Sequence, residues 1–158
     1  QCRDATPPTS RWRQLQAHVA DGRIKHLVTW RLLQLRQQLR ELFRDGSYVP
    51  LAAEGPAADH AVAFLRTHQD QAVLVPAVRL AFTLCEGEES RWSPALWRGT
   101  HLRASDGGTL QGGPRWRNAL TGETVATNGS LALEEVFAAA AGLPFAVLVA
   151  QGAREGGA

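Results

Sequence analysis

The stretch that decides the fold is His60–Leu84, which reads HAVAFLRTHQDQAVLVPAVRLAFTL. It contains three short segments, His60–Arg66, Ala72–Val75 and Ala77–Leu84, that alternate or are apolar and are rich in strand-favouring residues. Pro76 separates the last two segments, and because proline has no backbone N–H, it predicts an edge position or a bulge there. This stretch therefore predicts neighbouring short strands.

Further strand candidates lie on both sides of this stretch, at spacings near ten residues. They are Ser47–Ala53, His101–Ala104, Trp116–Glu123 with a hairpin turn at Thr121-Gly122, Leu131–Leu133 and Phe145–Ala150. One or two helical turns are predicted at Glu134–Ala141. Many short strands at this spacing predict an antiparallel β-sandwich at residues 46–151.

The N-terminal part has the period of helices instead. Trp12, Leu15 and Val19 recur at spacings of three and four, and a longer amphipathic helix is predicted from Ile24 to Phe43, with Asp21 as its N-cap. Both helical tryptophans, Trp12 and Trp30, are expected to pack inward. The predicted fold class is thus mainly β, with N-terminal helices at residues 9–45.

Composition excludes several classes of protein. The 158 residues include 17 Lys and Arg against 15 Asp and Glu, a net charge of only +2. No apolar run reaches the length of a transmembrane helix. Two cysteines are too few for a disulfide framework, so we expect a cytoplasmic protein with free thiols, with a Cys2–Cys85 bridge as the alternative.

The chain contains no methionine, and its first residues do not resemble a signal peptide. We therefore expect a fragment of a longer protein. Residues 1–8, with Pro7-Pro8, are predicted to be a disordered lead-in, and residues 152–158 a tail.

The sequence offers no catalytic or metal-binding pattern. The five histidines lack the spacing that places two ligands on one helix face, so we expect no metal and no cofactor. Glu86, Glu88 and Glu89 share a predicted loop, and Glu134 and Glu135 begin a helical turn. None of them follows an apolar strand, where burial could raise a carboxyl pKa for acid catalysis.

The aromatic and basic side chains suggest two binding functions. Trp92, Trp97 and Trp116 could stack on glucan rings if exposed, although anchoring of a core is the commoner role of tryptophan. The arginines of the long helix (Arg31, Arg36, Arg40 and Arg44) could contact nucleic acid. Glu41 and Asp45 dilute that charge, so we expect a solvated helix face and no nucleic-acid partner.

Eight segments, in order, are similar to the maltooligosyltrehalose synthases. They are DGRIK (21–25), LLQLR (32–36), ELFRDGSYVPL (41–51), ADHAVAFLR (58–66), AVLVP (72–76), WRGT (97–100), WRNALTG (116–122) and LPFAVL (143–148). Two departures are Arg98-Gly99, where the family often has Gly-Asp, and Arg40, where it often has Pro.

The resemblance implies a fold, an activity and a partner. The family belongs to the α-amylase superfamily (glycoside hydrolase family 13), and its enzymes convert the reducing-end α-1,4 bond of a maltooligosaccharide into an α,α-1,1 bond. Residues 9–45 would be the last helices of the (β/α)8 barrel, and residues 46–151 its C-terminal β-sandwich. The catalytic carboxylates would lie upstream, so none is assigned here. The expected partner is the catalytic barrel in the rest of the same polypeptide. When the barrel is absent, we expect the chain to self-associate through Ile24–Phe43. A stand-alone glucan-binding module is the alternative.

Overall fold

The computed structural model describes residues 12, 14, 15, 18–88, 92–104, 110 and 115–151. The predicted lead-in at 1–8, the predicted tail at 152–158 and Cys2 lie outside these residues. The Cys85 side chain is buried, and the Cys2–Cys85 bridge stays a prediction. In the part of the chain that is described, no helix is both long enough and apolar enough to cross a membrane.

The predicted long helix is two helices in the structure. Helix α1 spans Arg23–Gln38 and helix α2 spans Arg40–Asp45. Leu39 lies between them with φ −107° and ψ 43°, outside the helical region, so the prediction of one continuous helix is wrong at this residue. Leu42 of α2, just after the break, is completely buried.

The start of α1 also differs from the prediction. Gly22, not Asp21, is the N-cap residue, and its φ of 76° favours glycine. The Asp21 carboxylate still accepts a hydrogen bond of 2.9 Å from the backbone N–H of Arg23. A short 3-10 turn, Val19–Asp21, precedes this cap.

In the described ranges, eight antiparallel strands form a single sheet, in the order β6-β5-β8-β3-β2-β1-β4-β7. The prediction of a mainly β fold with N-terminal helices is confirmed. The strands are β1 Ser47–Glu54, β2 Ala61–His68, β3 Gln71–Val78, β4 His101–Ala104, β5 Arg115–Asn118, β6 Thr124–Ala126, β7 Leu131–Ala132 and β8 Leu148–Ala150. The described residues also include the short helices α3 Ala81–Leu84 and α4 Leu133–Ala138.

The sheet curls around a common core. Val125 of β6 and Leu131 of β7 lie at opposite ends of the strand order, yet both belong to one buried cluster with Leu74 of the central strand β3. Both ends of the sheet therefore pack on the same interior, as in a nearly closed barrel.

Pro76 lies within a strand, so the prediction of two strands separated by Pro76 is wrong. Strand β3 runs through Pro76, and Ala81–Leu84 is helical. The Pro76 carbonyl oxygen accepts a hydrogen bond of 3.0 Å from the Ala146 N–H. The side of β3 on which Pro76 lacks an N–H donor is therefore the side that faces the segment before β8. At that point the two segments are joined by an isolated bridge, Ala77–Phe145. Leu80, with φ 51°, ends the extended backbone.

Helices α1 and α2 cover one part of the outer face of the sheet. Leu35 and Leu42 form a second buried cluster with Val73 of β3 and with Val147, next to β8. The helices thus add a layer to the sheet, and a groove lies between α1 and the sheet.

Candidate functional site

Trp97 is a core residue, not an exposed platform. It ends the 3-10 turn Pro94–Trp97, and its ring lies 4.6 Å from the ring of Phe137 in α4. Trp92, which is half-buried, contacts Trp97 and Phe137 edge-on at 6.5 and 5.7 Å. The three rings anchor α4 to the loop before β4.

Trp116 is also completely buried. Strand β5 exposes Arg115 and Arg117 and buries Trp116 and Asn118, as expected for alternation across a pleated strand. The alternation of arginine with tryptophan and asparagine is a sequence signal from which this burial could have been predicted.

The burial of Trp97 and Trp116 corrects the idea of glucan stacking at these two residues. A sugar ring needs an exposed indole face, and neither tryptophan has exposed surface. Their Nε1 atoms are buried too and have no hydrogen-bond acceptor within the described residues. Of the three candidates, Trp92 alone keeps part of its surface in solvent.

The two tryptophans of the helical part, Trp12 and Trp30, differ in burial. Trp12 is completely buried, as predicted, and its Nε1 donates to the Leu120 carbonyl oxygen at 3.0 Å. Trp30 was expected to pack inward, but 46% of its surface is exposed, so this prediction is wrong. Trp30 lies on the side of α1 that faces away from the sheet.

The carboxylates that the structure describes lie in water. All are exposed except Glu134, which is half-buried and lies 3.5 Å from the Arg98 guanidinium. A hydrogen bond from Arg23 lowers the pKa of Asp21, and one from Arg44 lowers the pKa of Asp45. Both hydrogen bonds stabilise the ionised carboxylate, whereas a general acid needs a raised pKa that keeps its proton.

Metal-ligating side chains do not come together in the described ranges. No group of three or more His, Cys, Asp or Glu is found there that could hold an ion.

The candidate binding site is a cleft of about 340 Å³ between α1 and the end of the sheet. Its polar side chains come from the helix, from strand β5 and from the residue after β8, and aliphatic side chains lie between them. The lining is Arg31, Gln34, Leu35, Gln38, Leu39, Arg117, Ala119, Val149, Ala150 and Gln151.

The helical repeat of α1 places several cleft residues on one wall. Arg31, Gln34, Leu35 and Gln38 are spaced three or four residues apart and so lie on one face. Leu35 packs in one cluster with Val73 of β3 and Val147 next to β8, and the polar residues beside it line one cleft with Val149 of β8. The sequence reasoning missed this cleft because its two walls are separated by about 80 residues and no local pattern relates them.

Two curated proteins are similar to this chain, both from Mycobacterium tuberculosis (strains CDC 1551 / Oshkosh and ATCC 25618 / H37Rv). Each carries the name "Putative maltooligosyl trehalose synthase" and is 36% identical over 121 residues, which is 74% of this chain. The matched region is 12% of each relative, so the chain corresponds to a small part of their length. No family model and no solved structure matches the chain.

These matches confirm the similarity to the maltooligosyltrehalose synthases that the eight ordered segments indicate. The fold is that of a mainly β domain with a helical layer.

Proposed function

We propose that this chain is a non-catalytic, C-terminal part of a maltooligosyltrehalose synthase. The observation that carries the proposal is the 36% identity to proteins of that name. The whole protein would be an intramolecular transglucosylase, an isomerase of glycoside hydrolase family 13. It would turn the reducing-end α-1,4 bond of maltooligosaccharides into an α,α-1,1 bond, as the resemblance implies.

The exposed carboxylates support a non-catalytic role. Retaining glycoside chemistry uses one carboxylate as nucleophile and a second carboxyl group, with a raised pKa, as acid. Within the described residues, the resolved carboxyl pKa shifts are downward, and every carboxylate except Glu134 is exposed. In this proposal the catalytic pair belongs to the rest of the polypeptide.

The outward face of α1 supports a structural role. Leu33 is 58% exposed and Trp30 46% exposed, and a shallow groove of about 300 Å³ next to them is lined by Arg23, His26, Leu27 and Trp30. Large apolar side chains in water are stabilised by burial. Most of the length of the relatives lies outside this chain, and we propose that the catalytic barrel covers this face.

The proposal also covers the cellular location, the excluded partners and self-association. We place the protein in the cytoplasm, because two cysteines do not suggest a disulfide framework. No nucleic acid and no membrane takes part. Without the barrel, the chain is expected to self-associate through the α1 face, which sedimentation velocity at increasing concentration would detect.

An activity assay tests the proposal. Maltohexaose is incubated with the native polypeptide that carries this sequence, sized by immunoblot, and in parallel with the 158-residue chain. The longer polypeptide should consume reducing ends and form a trehalose-terminated sugar, and the chain alone should do neither. Conversion by the chain alone, or a native polypeptide no longer than the chain, would overturn the proposal.

A further inference from the structure

We propose that the cleft between α1 and the β5–β8 end of the sheet binds a short segment of α-1,4-glucan. This inference rests on the proposed function for the choice of sugar, and it concerns a site separate from the catalytic residues, which the proposal places outside this chain.

Three glutamines provide hydrogen-bonding groups that match sugar hydroxyls. Gln34 and Gln38 are one helical turn apart on the wall formed by α1, and Gln151 follows β8 on the opposite wall. A carboxamide both donates and accepts hydrogen bonds, and so does a hydroxyl group, so each glutamine can pair with adjacent hydroxyls of one ring. Convergence from two walls is typical of a binding site.

The charges of the described lining favour a ligand that accepts hydrogen bonds over a cation. Arg31 lies on the wall of α1 and Arg117 on that of β5, and the described residues that line the cleft include no carboxylate. A guanidinium donates hydrogen bonds and accepts none, so it suits the hydroxyl and ring oxygens of a sugar. An anion would also suit two arginines, which is why the test below includes phosphate.

The aliphatic lining favours a saccharide over a simple anion. Leu35 and Leu39 from the helix side and Val149 from β8 contribute apolar surface between the polar groups. Sugar rings present C–H groups on their faces and hydroxyls at their edges, and a phosphate has no apolar surface to bury. The volume of about 340 Å³ lies at the lower end of the range for ligand sites, so it suits a short glucan segment.

The test is a titration of the ¹⁵N-labelled chain with maltohexaose, followed by amide chemical shifts. We expect shifts at the backbone amides of Gln34, Gln38, Ala119 and Gln151. The double variant Gln34→Ala/Gln38→Ala should weaken binding about tenfold or more, since two hydrogen bonds are removed. Alanine favours helix, so the fold should persist, and the unbound spectrum checks this.

The matched control is Gln37→Ala, the same change on the same helix at an exposed residue that does not line the cleft. It should bind as the unaltered chain does. Weakening by Gln37→Ala as strong as that of the double variant would overturn the site.

Two further titrations separate the ligands. Equal shifts from cellohexaose would overturn the assignment to α-1,4-glucan, and shifts from inorganic phosphate without shifts from maltohexaose would identify an anion site instead. Absence of shifts at millimolar maltohexaose would overturn the inference, even if the longer polypeptide rearranges maltohexaose. Binding in the cleft together with an inactive longer polypeptide would overturn only the proposed function.

Discussion

Trp12 and Leu120 are 108 residues apart in the chain and joined by a buried hydrogen bond of 3.0 Å, from the indole Nε1 to the backbone carbonyl oxygen. Both residues are completely buried in the cluster that fills the curled sheet. Leu120 lies in the turn between β5 and β6, so the N-terminal segment contributes directly to the core of the β domain.

Replacement of Trp12 tests this link. Trp12→Phe keeps a ring in the core but leaves the Leu120 carbonyl oxygen without its donor, so we expect the free energy of unfolding to fall by about 1–3 kcal/mol. Trp12→Ala also leaves a cavity and should cost about 3–5 kcal/mol. Urea denaturation followed by circular dichroism gives both values.

The control for Trp12 is Trp30→Phe on the exposed side of α1. Because nearly half of Trp30 is in water, the change should stay within about 0.5 kcal/mol in the isolated chain. Equal costs for Trp12→Phe and Trp30→Phe would contradict the role of Trp12.

Gly55 allows the turn after β1 to approach the turn before β4. Its φ is +121°, and an added Cβ would meet the Gly99 carbonyl oxygen and, at 2.7 Å, the Thr100 Cα. Both neighbours are backbone atoms that cannot rotate away, so Gly55→Ala should lower the free energy of unfolding by more than about 3 kcal/mol.

Gly129→Ala is the control for Gly55, since Gly129 also has a positive φ, +81°, but open space around it. It should cost about 1–2 kcal/mol, from backbone conformation alone. Thermal denaturation of the two variants side by side separates steric clash from conformational strain, and equal costs would mean that the close approach does not exist.

Tryptophan fluorescence should distinguish buried from exposed indoles. In variants that replace one tryptophan at a time by phenylalanine, the loss of Trp30 should remove much of the emission that acrylamide quenches, and the loss of Trp97 or Trp116 little of it, because the last two have no exposed surface. Maltohexaose should leave the emission of Trp97 and Trp116 unchanged. Strong quenching of either tryptophan by the sugar would indicate that the sugar stacks on that residue.

The ion pair at the end of α2 makes a prediction about pH. Arg44 Nη2 lies 2.7 Å from Asp45 Oδ2 and holds the pKa of Asp45 below its usual value. A lowered pKa means that the stabilisation is present above the unfolded-state pKa and is lost as the pH falls through the folded-state pKa. The pair is exposed, so its effect should shrink in high salt.

A ¹³C NMR titration of the carboxyl groups measures this shift. Arg44→Gln should raise the midpoint of Asp45 towards its usual value and leave Asp21 unchanged, because the pKa of Asp21 is lowered by Arg23. A midpoint for Asp45 that does not respond to Arg44→Gln would show that the pair does not form in solution.

Much of the fold could be predicted because the signals were local. Strands β1, β2 and β4 and the hairpin at Thr121-Gly122 follow from alternation and turn residues. The break at Leu39 and the helix at Ala81–Leu84 could not be predicted in this way. Leu39 and Leu80 are not residues that mark a helix break or a positive φ, so the surrounding tertiary structure decides their conformation.

The candidate site was harder to predict than the fold. Tryptophans attract attention in a sequence, but their size makes them good core residues, and Trp97 and Trp116 are buried. The glutamines of the cleft attract none, because Gln34 and Gln38 look like any polar face of a helix. They matter because they line one cleft with Val149 and Gln151, more than 100 residues later.

The substitution Leu33→Asp, made in two contexts, tests the central claim that α1 faces the rest of a longer enzyme. In the isolated chain Leu33 is 58% exposed, and at a concentration low enough to keep the chain monomeric we expect a change within about 0.5 kcal/mol. In the intact polypeptide the same aspartate would be buried without a partner, and we expect a loss of about 2 kcal/mol or more and reduced activity on maltohexaose. Leu80→Asp, at a leucine of similar exposure (57%) away from α1, should behave alike in both contexts. A Leu33→Asp variant of the intact polypeptide as stable and as active as the unaltered one would contradict the account.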